Sequence, residues 1–171
     1  IPALCWAFMT PRGVGWTLPP PPPPQKAYDF NDDIAPSTLR PATEFYNDYS
    51  AMVFTTRAVK IISSFSAASA HPLFLYLPYQ NVHWPLEAPD EYVARFTNTT
   101  GGDKARNMVC AMIAVLDSGV GNVTAALKSA GIYDNTFIIF SSDNGGPTHG
   151  DEGTSSNNFP LRGGKNTIWE G

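Results

Sequence analysis

The sequence predicts an α/β domain built on a parallel sheet, and three observations predict it. Two short apolar runs, "PLFLYLPY" and "TFIIFSS", have the length and continuous hydrophobicity of strands covered on both faces. Between them lies a segment of helical periodicity long enough for a crossover. The order strand, helix, strand is a βαβ unit, which predicts parallel strands joined by a right-handed connection.

Taken in order, residues 1–26 stand apart. They end close to six consecutive prolines, Pro19 to Pro24, a polyproline segment that joins no core and reads as a disordered or artefactual head. Residues 27–171 form the domain. From Ser50, read as an N-cap, "AMVFTTRAVKIISSF" places Val53, Phe54, Ala58, Ile61, Ile62 and Phe65 on one core-packing helical face. The first strand, in "HPLFLYLPYQNVH", delivers His83 just past its end. After a proline-punctuated loop a long helix runs from about Lys104 to Ala130 and stops at Gly131, a C′ glycine. Met108, Met112, Val115, Leu116, Gly119, Val123 and Leu127 form its apolar stripe, with Asp117, Thr124 and Lys128 opposite. The second strand stops at Asp143 and Asn144, so both strands present polar residues at their carboxyl ends, where open α/β sheets hold ligands.

Composition narrows the function classes. With 171 residues and 43% hydrophobic content the chain can build one core, while its 15% charged fraction leaves surface to be covered. A net charge of −4 and a pI near 5.2 give no basic footprint for nucleic acid or anionic lipid. No run reaches the length expected of a membrane span, and the apolar first nine residues lack the flanks of a signal peptide. The start at Ile1 and the end at "IWEG" read as those of a fragment. Cys5 and Cys110 make neither a disulfide framework nor a metal spacing. Sequons at Asn98 ("NTT") and Asn122 ("NVT") point to a secretory lumen.

Few residues carry chemistry. Asp143 and Asn144 offer the hard oxygen donors of Ca²⁺ or Mg²⁺ beside the sharp turn of Gly145 and Gly146, or else cap a strand-end turn. His83 is either a packed histidine or a site residue; His71 and His149 show less. Arg162 and Lys165 lie among glycines that would admit an oxyanion, or form a solvated turn. This segment is no P-loop, because Phe159 stands at the first glycine position and Asn166 follows the GK pair. Motifs of serine hydrolases, zincins and dinucleotide binders are missing from the sequence.

Three blocks together are more specific: "HPLFLYLPYQNVHWPLEAP", "DSGVGNVTAALKSAGIYDNTFIIFSSDNGG" and "NNFPLRGGKNTIWEG". In this order they resemble the type I sulfatase family, arylsulfatase B-like, over roughly residues 28–171. The resemblance implies the alkaline-phosphatase-like (sulfatase) fold as a partial domain, the central part of the catalytic domain. It implies that Asp143 and Asn144 help hold one Ca²⁺, that His83 contacts the sulfate and the leaving oxygen, and that Lys165 binds the sulfate. It implies hydrolysis of a sulfated glycosaminoglycan or an aryl sulfate in a lysosomal or secreted glycoprotein. The family makes a formylglycine from the cysteine of C-x-P-x-R, and this sequence departs from that: Cys5 is followed by "WAFM" and Cys110 by "AMIA". Asp32 and Asp33 in "FNDDIAP" do not match the family's acidic pair, since no apolar strand precedes them. The chain is therefore expected to be inactive alone, and the alternative is a non-catalytic, truncated sulfatase-like binding protein. A related phosphohydrolase would carry more metal-binding histidines than the three present.

Overall fold

The computed structural model of the chain describes residues 31–33, 39–148 and 155–171, so the proline-rich head, Cys5 and His149 lie outside the described residues. The chain divides into two compact units, Ile1–Asn47 and Asp48–Gly171.

In the first unit β1 (Asn31–Asp33) pairs antiparallel with β2 (Leu39–Pro41), Asp32 opposite Arg40. Asp32 and Asp33 thus belong to a short antiparallel pair and not to the tip of a parallel strand. A single 3₁₀ turn follows at Thr43–Phe45, across which the Arg40 guanidinium donates to Glu44 at 2.7 and 3.2 Å. Both partners are exposed, so the pair adds little stability.

The second unit rests on two helices, α1 (Ser50–Ser64) and the long α3 (Lys104–Ser129), with a one-turn α2 (Asp90–Val93) between them in sequence. The buried face of α1 is Ala51, Thr55, Ala58 and Ile62, a rotation of the expected face that keeps only Ala58 and Ile62 at its centre. The reason is contact with α3 through small residues. A Cβ added at Gly119 would stand 2.8 Å from Thr55 Oγ1 and 2.9 Å from Tyr79 Oη, so the helices approach where glycine faces threonine. The hydroxyls of Thr55 and Tyr79 meet at 2.8 Å, and Thr55 also donates to the Ala51 carbonyl at 2.7 Å.

The N-cap of α1 is Tyr49, not Ser50. Its extended backbone (φ −73°, ψ 119°) turns the Tyr49 carbonyl to accept from Met52 and Val53, while its hydroxyl is anchored on the Glu87 carbonyl at 2.9 Å. This long-range tie overrides the local preference for serine.

The long helix keeps both expected ends. Asp103 caps it by accepting from the Arg106 amide at 3.0 Å. At the other end Gly131 takes φ +69°, its amide bonds the Lys128 carbonyl and the Ile132 amide bonds that of Leu127, the two bonds of a Schellman cap. The buried stripe is Val109, Ala111, Met112, Val115, Gly119, Ala126 and Leu127; Met108, Leu116 and Val123 lie at its flanks. By length and composition α3 also meets the requirement for a membrane span, contrary to the sequence expectation, but its stripe is spent on packing. Ile62, Ala126 and Leu127 centre the core, with Leu73, Leu75 and Ile132 packed against them.

The two apolar runs flank α3 as expected but make no strand among the described residues. Residues 73–80 alternate strictly between half-buried and exposed, Leu73, Leu75, Leu77 and Tyr79 facing inward, so this run is covered on one face and not two. Phe137, Ile138, Ile139 and Phe140 are all exposed, Phe137 by 88% and Ile139 by 77%. A strand is secured by hydrogen-bonded neighbours, and these segments have the pattern of strands without a ladder.

Candidate functional site

His83 is set in place from a distance. Two residues earlier the Asn81 amide donates to the Met112 carbonyl of α3 at 2.8 Å and to the Tyr49 hydroxyl at 3.2 Å. Burial raises the Tyr49 phenol above its usual range, and the Asn81 hydrogen bond pulls the other way. The loop then closes with the His83 amide on the Gln80 carbonyl at 3.0 Å. The exposed His83 ring has Nδ1 2.5 Å from the Trp84 carbonyl. A carbonyl only accepts, so the hydrogen of this bond lies on Nδ1 and Nε2 is the ring nitrogen left for another partner. That atom faces Lys165 Nζ at 3.4 Å.

Lys165 comes from 82 residues further along the chain. Its backbone amide bonds the Gly146 carbonyl at 3.2 Å, so the loop carrying Lys165 lies against the loop carrying Asp143 and Asn144. The approach is as close as backbone permits. A Cβ on Gly164 would stand 2.6 Å from the Gly146 carbonyl oxygen, and one on Gly145 would collide with Gly171. The Asn158 amide stitches the two loops, donating to the carbonyls of Gly146 (2.7 Å) and Gly163 (3.2 Å) and accepting from the Gly146 amide (2.8 Å). Arg162, expected beside Lys165 as a second oxyanion binder, is otherwise engaged. Its guanidinium meets Glu170 through two hydrogen bonds of 3.1 and 3.2 Å and stacks on Trp169 at 4.6 Å. The Arg162 hydrogen bond in turn holds the Glu170 carboxyl below its usual range.

Asp143 and Asn144 are exposed at the end of the second apolar run. The Ser142 hydroxyl bonds the Asn144 carbonyl at 2.6 Å, and the Asn144 NH₂ group donates to the Gly145 carbonyl at 2.7 Å. With its NH₂ group engaged there, the Asn144 side-chain oxygen joins the Asp143 carboxylate as a hard donor. In kind these donors suit Ca²⁺. In number they do not hold it: the ion takes six to eight oxygens, roughly, and among the described residues no group of three or more His, Cys, Asp or Glu side chains comes together.

Of the expected site residues, the structure brings the side chains of His83 and Lys165 together and sets the Lys165 backbone on the Asp143–Gly146 loop. His71 is exposed and apart, its amide on Ser69. Cys110 is a half-buried free thiol within α3. Asn81 and Asn158 lie inside two of the motif blocks, and nothing in the sequence marks them beyond being asparagines close to His83 and Lys165.

A Sulfatase family model matches residues 22–171. The chain belongs to the sulfatase family. Arylsulfatase J of Mus musculus is 44% identical over 124 residues, covering 72% of this chain and 19% of that protein. N-acetylgalactosamine-6-sulfatase of Mus musculus is 29% identical over 119 residues, covering 70% of this chain and 21% of that protein. The chain thus spans about a fifth of the length of these curated relatives. Among solved structures, Ps i-CgsB in complex with k-i-k-neocarrahexaose superposes with a TM-score of 0.60 at 40% identity, over 72% of this chain and 26% of that one. The extended, helical, extended order is therefore part of the sulfatase, alkaline-phosphatase-like fold, a partial domain. That agrees with the family and fold class the sequence motifs imply.

Proposed function

We propose that this chain carries the sulfate-recognising part of a sulfuric ester hydrolase acting on sulfated glycans or small aryl sulfates, and that it does not turn over alone. The observation that carries the reading is the meeting of Lys165 Nζ and His83 Nε2 at 3.4 Å on an exposed surface. An ammonium beside a ring nitrogen suits a monoanionic ester: Lys165 supplies the charge, and His83 a group that can hold a proton. As the ester bond breaks, negative charge moves to the leaving oxygen. Because Nδ1 is already committed to the Trp84 carbonyl, Nε2 is the ring atom left to exchange a proton with that oxygen, and it lies on the Lys165 side.

Asp143 and Asn144 would supply two of the oxygen ligands of one Ca²⁺, too few to hold it by themselves, and the ion would neutralise sulfate oxygens. The C-x-P-x-R cysteine from which the family makes its formylglycine is missing from the sequence, which is the reason to expect no turnover. The second reading is a non-catalytic, truncated sulfatase-like binding protein that keeps the Lys165 and His83 pair. Residues 27–171 would serve as the central part of the catalytic domain in either case, with the proline-rich residues 1–26 outside it.

The sequon Asn98 lies exposed in the turn after α2, and Asn122 lies on the exposed side of α3, which suits a glycoprotein that is lysosomal or secreted. An acidic net charge speaks against nucleic acid as a partner, and α3 serves as a core helix and not as a membrane span. The test is a titration of the chain with inorganic sulfate followed by NMR. The side-chain signals of Lys165 and His83 should move along one saturation curve that sodium chloride of equal ionic strength does not reproduce. Unmoved signals would overturn the reading.

A further inference from the structure

We propose that Asn158 is a positioning residue that sets Lys165 against the loop of Asp143 and Asn144. The inference rests on the sulfate reading for its purpose and on geometry for its substance. Asn158 bonds Gly146 in both directions, accepting from its amide at 2.8 Å and donating to its carbonyl at 2.7 Å, as a neighbouring backbone strand would. Its second donor hydrogen reaches the Gly163 carbonyl at 3.2 Å. Each hydrogen of the NH₂ group and the side-chain oxygen therefore has a partner, and these partners belong to the two loops that must be brought together.

The Gly146 carbonyl that Asn158 holds also accepts the Lys165 amide. Rotating or withdrawing the Asn158 amide would release that carbonyl, and Lys165 would lose its register. The glycines make the fit intolerant of slack. A Cβ on Gly164 would stand 3.0 Å from Asn158 Nδ2, and one on Gly146 would stand 2.6 Å from Ser156 Cβ. Three residues before Asn158 the segment is tied to the start of α3 at Ser155, whose hydroxyl donates to Asp103 at 2.7 Å and whose carbonyl accepts from Arg106 at 3.3 Å. Asn158 needs no contact with substrate to act.

The experiment uses the 171-residue chain, its Asn158→Ala and Asn158→Asp variants, Lys165→Ala, and the double variant Asn158→Ala with Lys165→Ala. Asn158→Asp keeps size but turns a carboxylate onto two carbonyls, so it stands in if the alanine variant does not fold. Amide exchange at Gly146 and Lys165 is read by NMR, and binding of 4-nitrophenyl sulfate by calorimetry. The expected result is exchange faster by about tenfold at both amides, the scale of one lost hydrogen bond. Affinity should fall in Asn158→Ala, and the double variant should bind no more weakly than Lys165→Ala alone. Unchanged exchange at Lys165 overturns the proposal, and so does an additive loss in the double variant, which would mean that Asn158 meets the ligand itself. Should the unaltered chain bind no sulfate ester while exchange still quickens, the positioning role stands and the sulfate reading falls.

Discussion

At the scale of single residues, Lys165 contributes a fixed charge and His83 a ring whose orientation is imposed, so their substitutions separate. Lys165→Ala is expected to weaken binding of an aryl sulfate by about tenfold or more, the order of one charge-assisted hydrogen bond, as measured by calorimetry. His83→Gln should bind nearly as well, since an amide can still pair with the ester. Asn81→Leu removes the donors that hold Met112 and Tyr49 and should lower stability by about 1–3 kcal/mol in denaturant unfolding. A pH dependence belongs here too. The Arg106 amide first, and then the Ser155 hydroxyl, hold the Asp103 carboxyl below its ordinary value of 3.8. A depressed carboxylate stabilises the fold above its unfolded value and loses that contribution as pH falls through its folded value. The melting temperature of the chain should therefore drop more steeply below about pH 4 than that of Asp103→Asn, which cannot titrate. His83, Asp143, Asn144 and Lys165 stood out in the sequence only as candidates, by residue type at the ends of apolar runs and among glycines, and their expected roles came from the family resemblance. Asn81 and Asn158 did not stand out: an asparagine in a loop looks solvated until the fold shows which carbonyls it reaches.

At the scale of elements, the helices were legible and the strands were legible only as patterns. A helix satisfies its own backbone, so the start near Lys104 and the Gly131 stop could be read locally and agree with the structure, which adds Asp103 as the cap. A strand depends on neighbours the local pattern does not name, which is why "PLFLYLPY" is half-covered and "TFIIF" uncovered. The helix faces shifted for a related reason. Periodicity marks where apolar residues fall and it places Gly119 in the stripe of α3, but the α1 residue that Gly119 faces is Thr55, which hydrophobicity does not select. Gly119→Ala should accordingly cost about 1–3 kcal/mol of stability through overpacking against Thr55 and Tyr79, although alanine favours helix. Gly131→Ala should cost about 1 kcal/mol for a different reason, the left-handed backbone at the helix end.

At the scale of the whole molecule, the exposed run from Phe137 to Phe140 is the feature with the largest consequence. An unpaired, apolar, β-prone segment templates its own association. The chain is expected to self-associate with rising concentration in sedimentation velocity, and Ile139→Lys should suppress this. The central claim is that a chain spanning about a fifth of its relatives' length keeps sulfate recognition without the residues for turnover. The measurement that tests it most directly is calorimetric titration of the chain with 4-nitrophenyl sulfate in the presence of calcium, with nitrophenol release followed in the same samples. The account predicts saturable binding that Lys165→Ala weakens, with no nitrophenol released. Binding indifferent to Lys165, or no binding at all, would contradict it, and so would release of nitrophenol by the unaltered chain.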